Sequence, residues 1–172
     1  MKHAHQLEIS MNKLVFKCLT LLMSTMLCLS AIAQEDSTMS ENERVIREFI
    51  ASWSRLDAVE LASYFATDGT YHNIPSSAVQ GRDNVQQFIS GFIRPWESTD
   101  WEIVSLLAEG DIVMVERLDK TVVAGSPVNL PCFGYFELED GKIKMWRDYF
   151  DLATYTTALT SALQSNQPIL GN

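Results

Sequence analysis

Apolar positions recur at helical spacing behind Ser40. Val45, Ile46, Phe49, Ile50 and Trp53 fall on one stripe, and Ser40 with Glu43 forms a capping-box pattern. A second start, Asp57 with Glu60, opens a short helix carrying Val59, Leu61, Ala62 and Phe65. Asp68-Gly69 reads as a turn into a brief strand from Tyr71 to Ile74, which Pro75 stops. A third stripe, Val85, Phe88, Ile89 and Phe92, predicts a helix from Asp83 to Phe92, with Pro95 ending it. The period then falls to two: Trp101, Ile103, Ser105 and Leu107 alternate with Glu102, Val104 and Leu106. Gly110-Asp111 turns the chain into a strand from Ile112 to Val123, and Gly125-Ser126-Pro127 turns it again. Val128 to Leu138 and Lys142 to Phe150 form the next strands across the hairpin signal Asp140-Gly141, and Asp151 caps a closing helix. Helices first and then a strand meander predict an α+β domain with helices on one side of a sheet.

The first 33 residues follow a different grammar. Lys13 and Lys17 precede an uncharged, mostly apolar run from Cys18 that ends Ala31-Ile32-Ala33, the pattern of a secretory signal peptide with cleavage after Ala33. Residues 1–10 add nothing such a signal needs, so Met11 serves equally well as a start, and the alternative to cleavage is a retained membrane anchor. The expected organisation is a signal over 1–33, a disordered leader over 34–39, a folded domain over 40–165 and a tail over 166–172. Export places the mature protein in the periplasm or outside the cell, with no stable membrane insertion once the signal is cut. Of the formal charge of −9, removal of the signal takes three Lys and one Glu, leaving 10 cations against 21 acids, a net −11. That surface repels polyanions and argues against nucleic-acid binding. Cys132 alone of three cysteines survives cleavage, so no intramolecular disulfide is expected. His72 is the one mature histidine, and no tract has zinc-ligand spacing, so no metal is expected.

Strand geometry sends residues i and i+2 to one face. Tyr71 therefore points with Asn73, and Arg117 with Asp119. Val113 and Val115 share the face of the latter pair. A guanidinium and a carboxylate on an apolar face are costly unless paired, and burial perturbs their protonation. On the last strand Trp146, Asp148 and Phe150 share one face and Met145, Arg147 and Tyr149 the other; both are partly aromatic, so periodicity does not choose between them. An outer-face ion pair remains the ordinary alternative for Arg117 and Asp119. His72, between Tyr71 and Asn73, points the opposite way. Cys132 has no evident base nearby to make it a nucleophile.

Taken in order, Y-x-N-x-P (Tyr71, Asn73, Pro75), G-R-D (Gly81 to Asp83), E-R-x-D (Glu116, Arg117, Asp119) and G-K-I-x-x-W-R-D-Y-F-D (Gly141 to Asp151) resemble the limonene-1,2-epoxide hydrolase family, from about Glu43 to Leu163. The resemblance implies a strongly curved mixed or antiparallel sheet whose N-terminal helices close a conical pocket. That fold is shared with NTF2-like, SnoaL-like, ketosteroid isomerase-like and polyketide cyclase-like proteins. It implies Asp148 as the carboxylate that activates water, Tyr71 and Asn73 as the pair that positions it, Arg117 as the bridging guanidinium and Asp119 as the acid. All five positions match the family pattern. Leu130, Cys132, Trp146 and Phe150 are the expected substrate-binding wall.

The function so implied is cofactor-independent addition of water to a hydrophobic epoxide, giving a vicinal diol in one step. Two carboxylates in opposite protonation states suit that reaction, and no G-x-S-x-G elbow offers a covalent route. Alternatives on the same scaffold are an isomerase or cyclase, and a non-catalytic carrier of a hydrophobic ligand. A homodimer is expected by analogy with similar proteins.

Overall fold

Alternation of buried and exposed positions carries residues 39–165, the span described by the computed structural model, into one six-stranded mixed sheet with helices against it. The expected signal segment (1–33), the tail (166–172) and all of the leader before Met39 lie outside the described residues. Helix α1 (Glu41–Ser52) starts where Ser40 Oγ accepts from the Glu43 N–H, and runs into a short 3-10 turn (Trp53–Arg55). Helix α2 (Ala58–Ser63) starts where Asp57 accepts from the N–H groups of Val59 and Glu60. Both caps satisfy donors that a helix start leaves unpaired. Strand β1 (Phe65–Asn73), the two-residue β2 (Val79–Gln80) and helix α3 (Arg82–Phe92) follow. Strands β3 (Trp96–Glu109), β4 (Ile112–Val123), β5 (Ser126–Glu139) and β6 (Lys142–Tyr149) then meander antiparallel. Helix α4 (Leu152–Ser165) closes the described chain, with Asp151 accepting from the Ala153 N–H and the Thr154 hydroxyl.

The strands lie in the order β2-β1-β6-β5-β4-β3. Strand β1 pairs parallel with β6, which sets Tyr71 beside Trp146 and Asn73 beside Asp148. Register shifts interrupt β1–β6, β3–β4 and β5–β6. Such bulges increase local twist, and the sheet curves. Its concave face buries Val113, Val115, Arg117, Asp119 and Thr121 of β4 with Phe136 and Leu138 of β5 and Trp146 of β6. The apolar stripe of α1 covers that face. Phe49, fully buried, meets Trp146 edge-on at 5.1 Å and Phe136 at 6.1 Å.

The described fold departs from the sequence reading at three strand boundaries. Asp68-Gly69 is a bulge inside a longer β1 and not a turn before a short one, and β2 pairs with that strand at Thr70 and Tyr71. Strand β3 begins at Trp96, ahead of the alternation around Trp101, after a short turn over residues 93–95 that ends at Pro95. The turn after β4 is Ala124-Gly125, both at positive φ (50° and 70°), and Ser126 and Pro127 already belong to β5. Pro131 is tolerated in β5 because the β6 pairing reaches only to Phe133.

Gly69 carries a constraint that its sequence context hides. A Cβ at that position would lie 2.7 Å from the Ile143 carbonyl oxygen and 3.0 Å from that of Ala66, both backbone atoms. Gly69→Ala is expected to force β1 away from β6 and cost about 1–3 kcal/mol, read as a lower urea midpoint; an unchanged midpoint would show that the bulge yields freely.

Candidate active site

Arg117 and Asp148 stand on strands separated by β5, so their backbones are two strand spacings apart, roughly 9–10 Å. Only a long side chain can bridge that gap, and only if β5 leaves room. The register places Cys132 opposite Arg117 and Gly134 opposite Asp148. Gly134 is the clearance: a Cβ there would lie 2.6 Å from Arg117 Nη1 and 2.8 Å from a Phe136 ring carbon. The guanidinium occupies the space a side chain would take.

Arg117 is buried and makes two-point contacts on both sides. Nε donates to Asp119 Oδ1 at 2.8 Å and Nη2 to Asp119 Oδ2 at 3.3 Å. Nη1 donates to Asp148 Oδ1 at 3.0 Å, and Nη2 to Asp148 Oδ2 at 2.6 Å and to Cys132 Sγ at 3.2 Å. Trp101 lies under its Cζ with the ring centroid 4.5 Å away, a cation–π contact, and Trp146 lies at 5.6 Å. Asp148 receives a further donor, the Trp146 indole N–H at 2.6 Å. Trp146 is stacked between Tyr71 (4.0 Å, 10°) and Phe136 (5.4 Å, 15°), which fixes that indole. Tyr71 in turn donates to Asn73 Oδ1 at 2.8 Å. That bond uses the hydroxyl's only proton, so the Tyr71 oxygen can offer an acceptor beside the donors of the Asn73 amide.

One cation thus faces two carboxylates away from bulk water. Burial alone would lower the Arg117 pKa, but Asp119 and Asp148 outweigh it and the guanidinium stays charged. Burial raises Asp119, Arg117 opposes that, and the neighbouring Asp148 adds to the rise; the result is about 7. Burial also raises Asp148, against the pull of Arg117 and of the Trp146 and Cys132 hydrogen bonds. The two titrate as a pair. The denser set of donors on Asp148 favours the ionised form there and leaves the proton with Asp119. Burial pushes the Tyr71 phenol and the Cys132 thiol up as well, so both remain neutral.

Asp119, Asp148, Tyr71 and Asn73 line a narrow cavity that opens to solvent. Leu130, Cys132 and Phe150 are on its wall, where the sequence put them. Trp146 is not: it is fully buried behind the cavity wall, and it acts as the bed and hydrogen-bond donor of Asp148. Arg117 likewise sits behind the wall, holding two residues that reach it. Sequence reasoning missed Gly134, Trp101, Thr121, Phe92, Trp96 and Tyr155. For Gly134 a signal existed, a glycine among the large inward residues of β5. Phe92 and Tyr155 come from α3 and α4, whose docking no strand pattern shows.

Residues 40–161 match the family model for the limonene-1,2-epoxide hydrolase catalytic domain. Epoxide hydrolase EphG of Mycobacterium tuberculosis (strain ATCC 25618 / H37Rv) is 42% identical over 45 residues, which covers 26% of this chain and only 30% of that relative's length. A solved LEH-like epoxide hydrolase of M. tuberculosis superposes with a TM-score of 0.62 at 25% identity, covering 73% of this chain and 93% of that one. An NTF2-like protein of unknown function from Burkholderia pseudomallei K96243 superposes at 0.64 with 20% identity, over 71% of this chain and 99% of that one, a likeness of fold.

Arg117→Met leaves two buried carboxylates with no counter-charge. Both then hold protons in the folded state that the unfolded chain loses above about pH 4, so stability falls as pH rises. The expected loss is about 3–5 kcal/mol near neutral pH and less in mild acid. Denaturant unfolding at the two pH values checks it, and a pH-independent loss would contradict the buried charge triad.

Proposed function

This chain belongs to the limonene-1,2-epoxide hydrolase family, and from that premise we propose that it adds water to a hydrophobic epoxide in one step, without a cofactor, to give a vicinal diol. The observation that carries the reading is the Asp119–Arg117–Asp148 array, buried yet presenting both carboxylates to one largely apolar cavity.

Each group has a role that its surroundings support. Asp148, ionised and rigid on its Trp146 bed, accepts a proton from a water held between it, Tyr71 and Asn73. The water oxygen bonds to one epoxide carbon as the bond from that carbon to the ring oxygen breaks. Asp119, protonated, gives its proton to the departing oxygen. Two hydroxyls result, and the proton gained by Asp148 replaces the one Asp119 lost, through solvent. Arg117 makes the division possible, since its single charge matches one ionised carboxylate and not two. General acid and base assistance of this kind is worth roughly two to four orders of magnitude for each group. Cys132 takes no part as a nucleophile, because burial keeps its thiol protonated. A covalent ester on Asp148 is disfavoured because three donated hydrogen bonds hold its oxygens.

Asp148→Asn is expected to keep the far-ultraviolet spectrum and lose diol formation from limonene oxide and cyclohexene oxide; full retained activity would remove Asp148 from the role of base. The acid role of Asp119 has its own signature. Asp119 must be protonated, and its pKa is about 7, so kcat/KM should fall as pH rises above that value. The base role of Asp148 adds an acid-side decline at a pH above the ordinary aspartate range, the direction in which burial moves it. A profile rising steadily through neutral pH would contradict the assignment.

A further inference from the structure

Apart from the reacting end, the cavity wall is built largely from aromatic rings. Phe92, Trp96, Trp101, Phe150 and Tyr155 line it with Tyr71, against only Val128 and Leu130 as purely aliphatic residues. The rings form a connected surface: Phe92 meets Trp96 edge-on at 4.9 Å and Tyr155 at 6.1 Å, and Tyr155 meets Phe150 at 6.2 Å. The surface continues outward, because a second hollow shares Asn73, Phe92, Phe150 and Tyr155 with the first and adds Phe88.

An aromatic ring offers faces and edges that suit the edge-to-face spacing of the surrounding rings, contacts that an aliphatic group of equal bulk does not make.

We propose that the substrate is an aryl epoxide, with a phenyl-sized aromatic ring seated against Trp96, Trp101, Phe92 and Tyr155 and its oxirane directed to Asp119 and Asp148. This rests on the epoxide hydrolase reading for the reaction but not for the binding. Aliphatic epoxides of equal bulk lack the ring contacts.

The test uses a pair matched in heavy atoms, benzyloxirane and cyclohexylmethyloxirane, in which a methylene keeps the ring from activating the epoxide electronically. Their kcat/KM values would be measured with the full folded domain, and the affinities of the corresponding diols by calorimetry. Two or more ring contacts predict a preference of about tenfold for the aryl member in both readouts. Tyr155→Leu, at a partly exposed position where folding should survive, is expected to cut that preference to about threefold or less. Equal or undetectable binding of both diols overturns the aryl assignment, as does a preference that Tyr155→Leu leaves intact. Turnover of both oxiranes alike, with equal diol affinity, overturns it while leaving the epoxide reading standing. Aryl-selective diol binding with no turnover of either oxirane keeps the aryl preference of the pocket and overturns the epoxide reading instead.

Discussion

A single positive charge shared by two buried carboxylates governs how this protein is built. Out of water neither Asp119 nor Asp148 is tolerable as an unpaired anion, and Arg117 can neutralise only one at a time. The fold answers with geometry. Strand β4 carries the arginine inward, Gly134 clears its path across β5, and β6 presents Asp148 where the guanidinium arrives. Trp101 and Trp146 flank the charge with polarisable faces in place of water. The apolar stripe of α1 and the 3-10 turn after it then cover the arrangement through Phe49 and Trp53.

The same constraint explains why the chemistry sits on strands. A bidentate contact on each side of one guanidinium fails if either carboxylate moves by an ångström. Asp119 is fixed by being two residues from Arg117 on one strand, and Asp148 by its indole donor. Tyr71 and Asn73 are placed by the parallel pairing of β1 with β6, which sets Asn73 alongside Asp148. The cavity wall by contrast draws also on α3 and α4, which carry none of the three charged groups.

Much of this arrangement is legible in the amino-acid sequence. Val113, Val115, Arg117 and Asp119 alternate along one strand face, and that local rule placed a costly charge pair inside. Ser40, Asp57 and Asp151 marked three helix starts through side-chain oxygens that cap locally. The family pattern supplied the partnership of residues 71, 73, 117, 119 and 148, which no periodicity holds. Hidden were features that exist only between segments. Asp68-Gly69 looks like a turn because turn and bulge use the same residues, and only the Ile143 carbonyl lying against Gly69 distinguishes them. Trp146 looked like a wall because its face is that of Asp148; the stacking of Tyr71 and Phe136 on it turned it into a foundation. Gly134 shows in sequence only as a small residue among large inward ones; that it clears the path of Arg117 is visible only across strands.

Cys132 is a soft sulfur placed 3.2 Å from the guanidinium, on the wall of a cavity assigned to strained, electrophilic rings. A thiolate there would compete with water for the ring carbon and end in an irreversible thioether. Thiols attack through the anion, and burial among Asp148 and Asp119 keeps this one protonated. The burial that retains a proton on Asp119 thus also quiets this thiol, which under the proposed function spares the protein from alkylating itself.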